Sequence, residues 1–408
     1  MKLTKHKHKL SKWITNGIIK SIKFKDKLHW KLKNTHPESF QYELLQNHIR
    51  NYSKILKRSI RVAKKMFYFS AFNKCKYDIK NTWSLISGIL NKTKNKQDLP
   101  EQFLINGEHV SDKSIIANQF NNFFINIGSS AAEQIPNTDG LSYKKYLTHP
   151  TRHTFMFSLT DEKTVNAIIR DMKPKTSCGY DGLSTKLLKF IEPEITKAVT
   201  FVINQSLMSG IFPTNLKVAK VIPLFKKNNP ALLDNYRPIS LLPAVSKIFE
   251  RVIFDQLHNY FSIHKLYYKS QYGFRKQHST ELAALELIDL TIKKLEKGEI
   301  PISIFLDLSK AFDTINHDIL LKNLEYYGIR RNKLNLFQSY LCDRKQYVEF
   351  QNSQSDQCKI TTGVPQGSIL GPLLFIIYIN DFHKASKIFE FIIYADDTTL
   401  TSTLNNFN

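Results

Sequence analysis

The sequence predicts an α+β fold that follows an α-helical, basic N-terminal region. Three observations support this prediction. Over much of residues 43–127, apolar side chains recur at helical spacing. In the second half, short apolar runs with strand character alternate irregularly with helical segments, and acidic residues stand where strands end. The 408 residues are 42% hydrophobic and 12% aromatic, which is enough to bury a sizeable core in two or three domains.

The N-terminal region is predicted to contain three helices, at residues 43–70, 81–90 and 114–127. Basic side chains interrupt the apolar pattern of the first helix, so we expect it to be amphipathic with a basic outer face. These basic residues are Arg50, Lys54, Lys57, Arg58, Arg61, Lys64 and Lys65. A Lys/Asn-rich loop is expected at residues 91–97. Residues 134–154 contain Pro136, Gly140 and Pro150 and little periodicity, so we predict a linker there and a domain boundary near residue 150.

The second half of the chain is predicted to mix helices and strands. Helices are expected at 194–208, at 280–297 and from residue 317 to Gly328. The middle one has a single apolar face, formed by Leu282, Leu285, Ile288, Ile292 and Leu295. Strands are expected at 217–225 and 300–306, the latter buried and ending at Asp307. Residues 391–394 and 398–401 flank Ala395-Asp396-Asp397 as the two strands of a hairpin would.

Positive charge is concentrated at the N-terminus. Lys and Arg total 59 against 35 Asp and Glu, a net charge of +24, and residues 1–100 contribute 24 basic and 5 acidic residues, or +19. A polyanionic partner explains this asymmetry, because each phosphate that the protein neutralises releases a counterion. The alternative is a basic surface that serves only solubility.

Cysteine spacing and hydropathy indicate an intracellular protein. Cys75, Cys178, Cys342 and Cys358 form no CxxC pair and no disulfide framework, so we expect a reducing compartment and no structural zinc. The Lys-rich first residues lack the apolar segment of a signal peptide. The longest apolar run, at residues 369–379, is shorter than the roughly 20 residues that cross a bilayer. We expect no membrane partner.

Two adjacent acids, Asp396 and Asp397, are predicted at the turn of an apolar hairpin. Two carboxylates about 4 Å apart repel each other by roughly 4 kcal/mol at an effective dielectric near 20. A hard divalent cation with oxygen ligands, Mg²⁺ above all, would compensate this repulsion. The alternative is an exposed acidic turn, in which the two residues merely favour the bend.

Asp307 favours the metal-site hypothesis. It ends an apolar strand, where an acid without a partner is costly. Three carboxylates from two strand ends could hold two metal ions about 3.5–4 Å apart, which is the arrangement used in nucleotidyl transfer. Asp313 is expected to cap the following helix through residues 314–316.

Five motifs stand in order along the chain, at residues 235–242, 271–275, 305–313, 363–372 and 394–397. They resemble those of reverse transcriptases, and of the non-LTR, LINE-type and jockey-like branch in particular. Residues 305–313 (FLDLSKAFD), 363–372 (GVPQGSILGP) and 394–397 (YADD) resemble the A, B and C motifs of the palm. Residues 235–242 (NYRPISLL) and 271–275 (QYGFR) resemble fingers motifs of the branch. The basic region that begins at Trp13 resembles the segment that joins endonuclease to polymerase. The resemblance implies right-hand fingers and a partial palm at 151–408, after a nucleic-acid-binding region at 1–150.

The resemblance also implies residue roles. Asp307, Asp396 and Asp397 would bind two Mg²⁺ ions, with Mn²⁺ as an alternative ion. Phe312 would exclude the ribose 2′-hydroxyl. Gln366 and Gly367 would line the incoming nucleotide and template. The triphosphate would contact Arg237, with help from Lys226 and Lys227. Structural alternatives exist for each: Phe312 as core, Gln366-Gly367 as a tight turn, and Arg237 in a surface ion pair.

The predicted function is RNA-directed DNA synthesis with an element RNA template, a DNA primer or target and deoxynucleotides, in a ribonucleoprotein of the nucleus or cytoplasm. A viral-type RNA-dependent RNA polymerase is disfavoured by Ala395 and Phe312. A non-catalytic RNA-binding remnant is the remaining alternative. The chain ends at Asn408, 11 residues beyond Asp397. From the family pattern we therefore expect no thumb, no preceding endonuclease, and weak or absent activity of this chain alone.

Overall fold

The computed structural model describes residues 11, 13–76, 78–90, 100–105, 107–133, 143–147 and 149–404. The predicted loop at 91–97 lies outside the described residues, as does much of the predicted linker, at 134–142 and 148. The chain divides into two compact units, Met1–Leu99 and Pro100–Asn408. We call them the N-terminal unit and the C-terminal unit and describe each by itself.

The described part of the N-terminal unit consists of three helices, α1 (Asn16–Lys33), α2 (Phe40–Lys74) and α3 (Ile79–Ile89). Each begins after a side-chain cap, in which Thr15, Ser39 or Asp78 accepts a hydrogen bond from a backbone N–H of the first turn. Helices α1 and α2 pack against each other, with the Phe24 and Tyr52 ring centroids 5.2 Å apart. The helices predicted at 43–70 and 81–90 are confirmed.

The C-terminal unit begins earlier than the sequence analysis placed its boundary. It opens with the hairpin β1 (Phe103–Ile105) and β2 (Glu108–Val110), followed by α4 (Lys113–Glu133). Phe103 and Phe120 are fully buried in one core with Val221 and Val348. The units therefore divide at residues 99–100 rather than near 150. The helix predicted at 114–127 is confirmed. It packs on distant β6 as well as on nearby Phe103, so local periodicity could not assign it to a unit.

The rest of the C-terminal unit alternates helices and strands, as the predicted α+β class requires. The helices are α5 (Glu162–Asp171), α6 (Thr185–Phe190), α7 (Glu192–Ser209), α8 (Ala244–Ile263), α9 (Thr280–Glu296), α10 (His317–Tyr326), α11 (Asn332–Leu341) and α12 (Leu370–Tyr378). The strands are β3 (Val218–Phe225), β4 (Tyr236–Leu241), β5 (Pro301–Asp307), β6 (Lys345–Phe350), β7 (Ser353–Gln354), β8 (Cys358–Lys359), β9 (Glu390–Tyr394) and β10 (Asp397–Thr403).

Two larger sheets organise this unit. One has the order β4-β3-β6-β7, with β8 also paired to β6, and its β3 and β6 are parallel. Helix α4 packs on this sheet. The other has the order β5-β10-β9 and is antiparallel. The larger core brings together α5, α7, α8, α10, α11 and α12, and seven residues of the nine-residue α12 are buried in it.

The predicted elements of this half are confirmed as α7, α9, α10, β3, β5, β9 and β10, but the predicted burial of β5 is wrong. Strand β5 is not buried: Ile304 is 41% and Phe305 71% exposed. An apolar run specifies a strand without specifying that both faces are covered, and β5 is an edge of its sheet. The apolar face of α9 is likewise exposed, from Leu282 to Leu295. No helix in the described ranges is long and apolar enough to cross a membrane.

Candidate active site

The three-stranded sheet brings Asp307 and the Asp396-Asp397 pair together. Asp307 is the last residue of β5, and Asp397 is the first residue of β10. The two are direct partners in the antiparallel register. Asp397 is also opposite Tyr394 in the β9–β10 hairpin, so Asp396 stands in the tight turn between them. Asp307 and Asp397 are exposed, and Asp396 is half-buried.

The turn that carries Asp396 depends on a neighbouring segment, residues 270–273. Ala395 has a positive φ of 56°, a conformation that costs energy for a residue other than glycine. Its backbone N–H donates to Oε1 of buried Gln271 (3.3 Å), which also accepts from Gly273 N–H (2.8 Å). A Cβ on Gly273 would lie 2.7 Å from the Ala395 Cα, so only glycine fits there. This role of Gln271 was missed from the sequence, although its motif was identified.

The electrostatics of the three acids favour a bound cation. Burial raises the pKa of the Asp397 carboxyl, and the charges of Asp396 and Asp307 raise it further. Within the described ranges, however, no group of three His, Cys, Asp or Glu side chains is arranged to hold a metal ion. The backbone therefore juxtaposes three acidic residues whose carboxylates do not converge on one point. Their oxygen donors are those that Mg²⁺ prefers, and the mutual repulsion is what a cation would relieve.

Phe312 lies where the core meets the site. It is half-buried, stacks on Phe375 of α12 with ring centroids 5.0 Å apart, and meets the edge of Phe274 at 5.9 Å. Phe274 follows Gly273 directly, so the motif at 271–275 contacts both the acidic turn and Phe312. The core interpretation and the proposed sugar-gate interpretation of Phe312 are compatible with these contacts.

Gln366 and Gly367 form a tight segment anchored on β4. Ser240 N–H donates to the Gln366 carbonyl (2.9 Å). Gly367 has φ 122°, and a Cβ there would lie 2.6 Å from the Ser240 carbonyl oxygen, so this approach requires glycine. The Gln366 side-chain amide donates through Nε2 to Oδ2 of Asp313 (2.6 Å).

The expected role of Asp313 as a helix cap is wrong. The cap of α10 is Asn316, whose Oδ1 accepts from Asp318 N–H (2.9 Å) and Ile319 N–H (3.1 Å). Asp313 instead faces Gln366 across the boundary between the segment after β5 and the segment before α12. Burial raises the pKa of the Asp313 carboxyl to about 6, and the Gln366 hydrogen bond and the Lys310 charge oppose this increase.

The candidate triphosphate contacts lie at one end of the β3–β4 pair. Arg237 is opposite Leu224 in the register, and Lys226 N–H donates to the Asn235 carbonyl at 2.8 Å. Arg237, Lys226 and Lys227 are all exposed. Among the ion pairs of the described residues, none involves Arg237, so the ion-pair alternative for this residue has no support.

A buried acid that the sequence analysis missed holds the start of α12. Oε2 of Glu250, on α8, accepts from the backbone N–H groups of Ile369 (2.6 Å) and Leu370 (3.2 Å), and Ser246 Oγ donates to its Oε1 (3.1 Å). Burial raises the pKa of the Glu250 carboxyl, and the Arg344 charge opposes this. The signal in the sequence was an acid on the apolar face of a helix, beside Phe249 and Val252.

The basic residues singled out on α2 are all exposed in the N-terminal unit: Arg50, Lys54, Lys57, Arg58, Arg61, Lys64 and Lys65. The opposite side of α2 contributes the buried residues Ile49 and Leu56. The ammonium group of Lys64 lies 5.9 Å from the Trp13 ring centroid. This helix therefore presents a polycationic surface of the kind that binds nucleic-acid backbones.

Comparisons with known proteins agree with the motifs. Residues 225–406 match the family model described as reverse transcriptase (RNA-dependent DNA polymerase). The chain is 30% identical over 268 residues to the RNA-directed DNA polymerase from mobile element jockey of Drosophila melanogaster, covering 63% of this chain and 29% of that protein. It is 31% identical over 258 residues to the probable RNA-directed DNA polymerase from transposon BS of the same organism, covering 60% and 28%.

The chain thus spans less than a third of the length of these curated relatives. A solved structure of telomerase from Candida albicans, in complex with the TWJ fragment of telomeric RNA, is also similar. It has a TM-score of 0.34 and 16% identity, over 46% of this chain and 38% of that one. That likeness is too low to support a conclusion.

Proposed function

We propose that this chain, whose residues 225–406 match the reverse transcriptase family model, acts in RNA-directed DNA synthesis for a non-LTR retrotransposon. The observation that carries the proposal is the register of the three-stranded sheet, which pairs Asp307 with Asp397 and places Asp396 in the adjoining turn. Carboxylates brought together by neighbouring strands could supply the ligands of two-metal nucleotidyl transfer.

Asp307, Asp396 and Asp397 would hold two divalent ions, Mg²⁺ or alternatively Mn²⁺, after rotation of their side chains. Such ions, when bound, activate the attacking hydroxyl and stabilise the leaving pyrophosphate. The protein's own contribution is to bring the three carboxylates together on a rigid backbone. Gln271 and Gly273 support this rigidity, because they hold the Ala395 turn by hydrogen bonds and close packing.

The remaining candidate residues would position the deoxynucleotide. Phe312, held between Phe274 and Phe375, would occupy the space that a ribose 2′-hydroxyl needs. Gln366 and Gly367 would line the nucleotide and template. The guanidinium group of Arg237 would bind the triphosphate, and Lys226 and Lys227 would add positive charge, which their exposure allows.

For the domains, we propose fingers and a partial palm at residues 151–408 and a nucleic-acid-binding region at 1–150, of the type that links endonuclease and polymerase in this family. The proposed nucleic-acid-binding region would then comprise the N-terminal unit together with β1, β2 and α4 of the C-terminal unit. The exposed basic face of α2 supports the second assignment. The partners would be an element RNA, a DNA primer or target and deoxynucleotides. We place the ribonucleoprotein in the nucleus or the cytoplasm, where the four free thiols would remain reduced.

The test is primer extension on an RNA template with Mg²⁺, in parallel reactions that contain deoxynucleotides or ribonucleotides. We expect extension with deoxynucleotides. Extension with ribonucleotides alone would favour an RNA-dependent RNA polymerase. Salt-sensitive RNA binding without any extension would favour the non-catalytic RNA-binding remnant, the second function that the exposed basic helix supports.

A further inference from the structure

A hydrogen bond between Gln366 and Asp313 links the segment before α12 to the segment after β5. Nε2 of Gln366 lies 2.6 Å from Oδ2 of Asp313, which is short for an N–H···O hydrogen bond and fits a charged acceptor, since charge-assisted bonds are the shorter ones. Asp313 directly follows Phe312, the candidate sugar gate. Phe312, the candidate sugar gate, and Asp313, the hydrogen-bond partner of Gln366, are therefore adjacent residues.

The chemistry of Asp313 dictates which way the Gln366 amide faces. An ionised carboxylate only accepts hydrogen bonds, so the NH₂ group of Gln366 must point to it. The Gln366 carbonyl oxygen, Oε1, is then turned away, and it accepts no hydrogen bond from any described residue. A neutral partner such as asparagine could either donate or accept, and would leave both orientations of the Gln366 amide available.

Hydrogen bonds hold the backbone in place on both sides of the Asp313–Gln366 contact. Val364 N–H donates to the Phe312 carbonyl (2.9 Å), and Gly363 N–H donates to the Ile315 carbonyl (2.8 Å). The His317 ring, through Nε2, hydrogen-bonds the Gly363 carbonyl at 2.7 Å. These bonds join residues 312–317 to residues 363–364, so the distance between the Asp313 and Gln366 backbones has little freedom.

We propose that Asp313 is a positioning residue, which holds the Gln366 amide with its carbonyl oxygen toward the incoming nucleotide, where it accepts a hydrogen bond from a sugar hydroxyl or base amino group. This inference rests on the proposed function. It assigns Asp313 no contact with substrate or metal. It explains why an acid is kept at a half-buried position that does not cap a helix.

If Asp313 orients the Gln366 amide, the orientation should depend on pH. The Asp313 carboxyl has a pKa of about 6, so it is ionised at pH 8 and protonated below about pH 6, where the orientation of the Gln366 amide is no longer dictated. Two neighbouring groups also bear on this titration. The Lys310 ammonium favours the ionised carboxylate. Burial lowers the pKa of the His317 imidazole, and the hydrogen bond to the Gly363 carbonyl opposes this decrease.

The kinetic test measures incorporation of dTTP by the full chain on a poly(rA) template with a DNA primer. At pH 8, Asp313→Asn should raise KM for dTTP about tenfold and change kcat by less than about threefold. The KM of the unsubstituted protein should rise toward that of Asp313→Asn as the pH falls through about 6. The matched control is Asp318→Asn, which removes an exposed carboxylate five residues away and should leave both constants unchanged.

A double substitution decides whether Asp313 acts through Gln366. In a Gln366→Ala background, Asp313→Asn should have no further effect on KM, because the group that it positions is gone. Additive effects of the two substitutions would overturn the proposal, and so would an unchanged KM in Asp313→Asn.

A second measurement is independent of activity. In protein labelled with ¹⁵N at glutamine side chains, the Gln366 amide resonance should shift with a midpoint near pH 6, and this transition should be absent in Asp313→Asn. If the unsubstituted protein incorporates no dTTP, the proposed function fails, while the amide titration still decides whether Asp313 orients Gln366. A Gln366 resonance that does not respond to pH in the unsubstituted protein overturns the inference without any variant.

Discussion

The N-terminal and C-terminal units differ in how many apolar side chains they bury and in how their polar side chains are placed. In the described part of the N-terminal unit, four hydrophobic residues are buried, Ile18, Leu28, Ile49 and Leu56, and the surface of α2 is basic. The C-terminal unit buries two extensive apolar clusters and uses them to hold a few polar groups at defined positions. The proposed role of the N-terminal unit therefore depends on total charge, and that of the C-terminal unit depends on the placement of individual atoms.

The largest effect is expected when one carboxylate of the candidate metal site is replaced by an amide. Asp307→Asn, Asp396→Asn or Asp397→Asn should each lower dTTP incorporation by several orders of magnitude, because each removes a proposed metal-ligating charge. RNA affinity should stay within about twofold. Asp289→Asn, at an exposed position of α9, is the control for removing a carboxylate. Retained polymerisation in Asp396→Asn would falsify the metal-site assignment.

Stability should differ between the units for the same chemical change. Leu374→Ala in α12, at a fully buried position, should destabilise the C-terminal unit by about 2–5 kcal/mol. Leu44→Ala in α2, where the side chain is 55% exposed, should change stability by less than about 0.5 kcal/mol. Chemical denaturation followed by hydrogen exchange of each helix measures both. Equal losses at the two positions would contradict the description of α2 as mostly exposed.

The selectivity for deoxynucleotides over ribonucleotides should change when the Phe312 ring is replaced by a smaller side chain. Phe312→Val removes most of the ring that packs against Phe375. We expect the ratio of ribonucleotide to deoxynucleotide kcat/KM to rise about tenfold, because the space proposed for the 2′-hydroxyl opens. Phe375→Leu, which alters the same packing one layer deeper, controls for a loosened core. If both variants leave the ratio unchanged, Phe312 is a core residue only.

The smallest effects are expected from single changes on α2. Replacing one basic residue, for example Lys57→Ala, should weaken RNA binding by less than about threefold, since each neutralised phosphate contributes only one increment to the salt dependence. Deletion of residues 1–99 should flatten the slope of log affinity against log salt, by about 0.7 for each single-strand phosphate that the protein no longer neutralises. A single substitution that abolishes binding would show that α2 acts by position, as the C-terminal unit does.

Local sequence correctly identified several elements in both units, although it did not identify others, such as α1 and α8. Helix α2 was predicted from its period, α9 from its apolar face, and the β9–β10 hairpin from its flanking apolar runs. Burial was predicted less well. The aliphatic face of α9 and the residues Ile304 and Phe305 are exposed, because periodicity identifies an apolar face without specifying what covers it.

The acids of the candidate site could be identified from the sequence, since Asp307 and Asp396-Asp397 stand at the ends of strands that local patterns predict. The side chains that support these acids become apparent only in the folded chain. Gln271 bonds to Ala395 from 124 residues away, Glu250 to Ile369 from 119, and Gln366 to Asp313 from 53. Each of these bonds pairs a polar group with a partner on a distant segment. No period or spacing encodes such a pairing, because it exists only once the segments pack and exclude water.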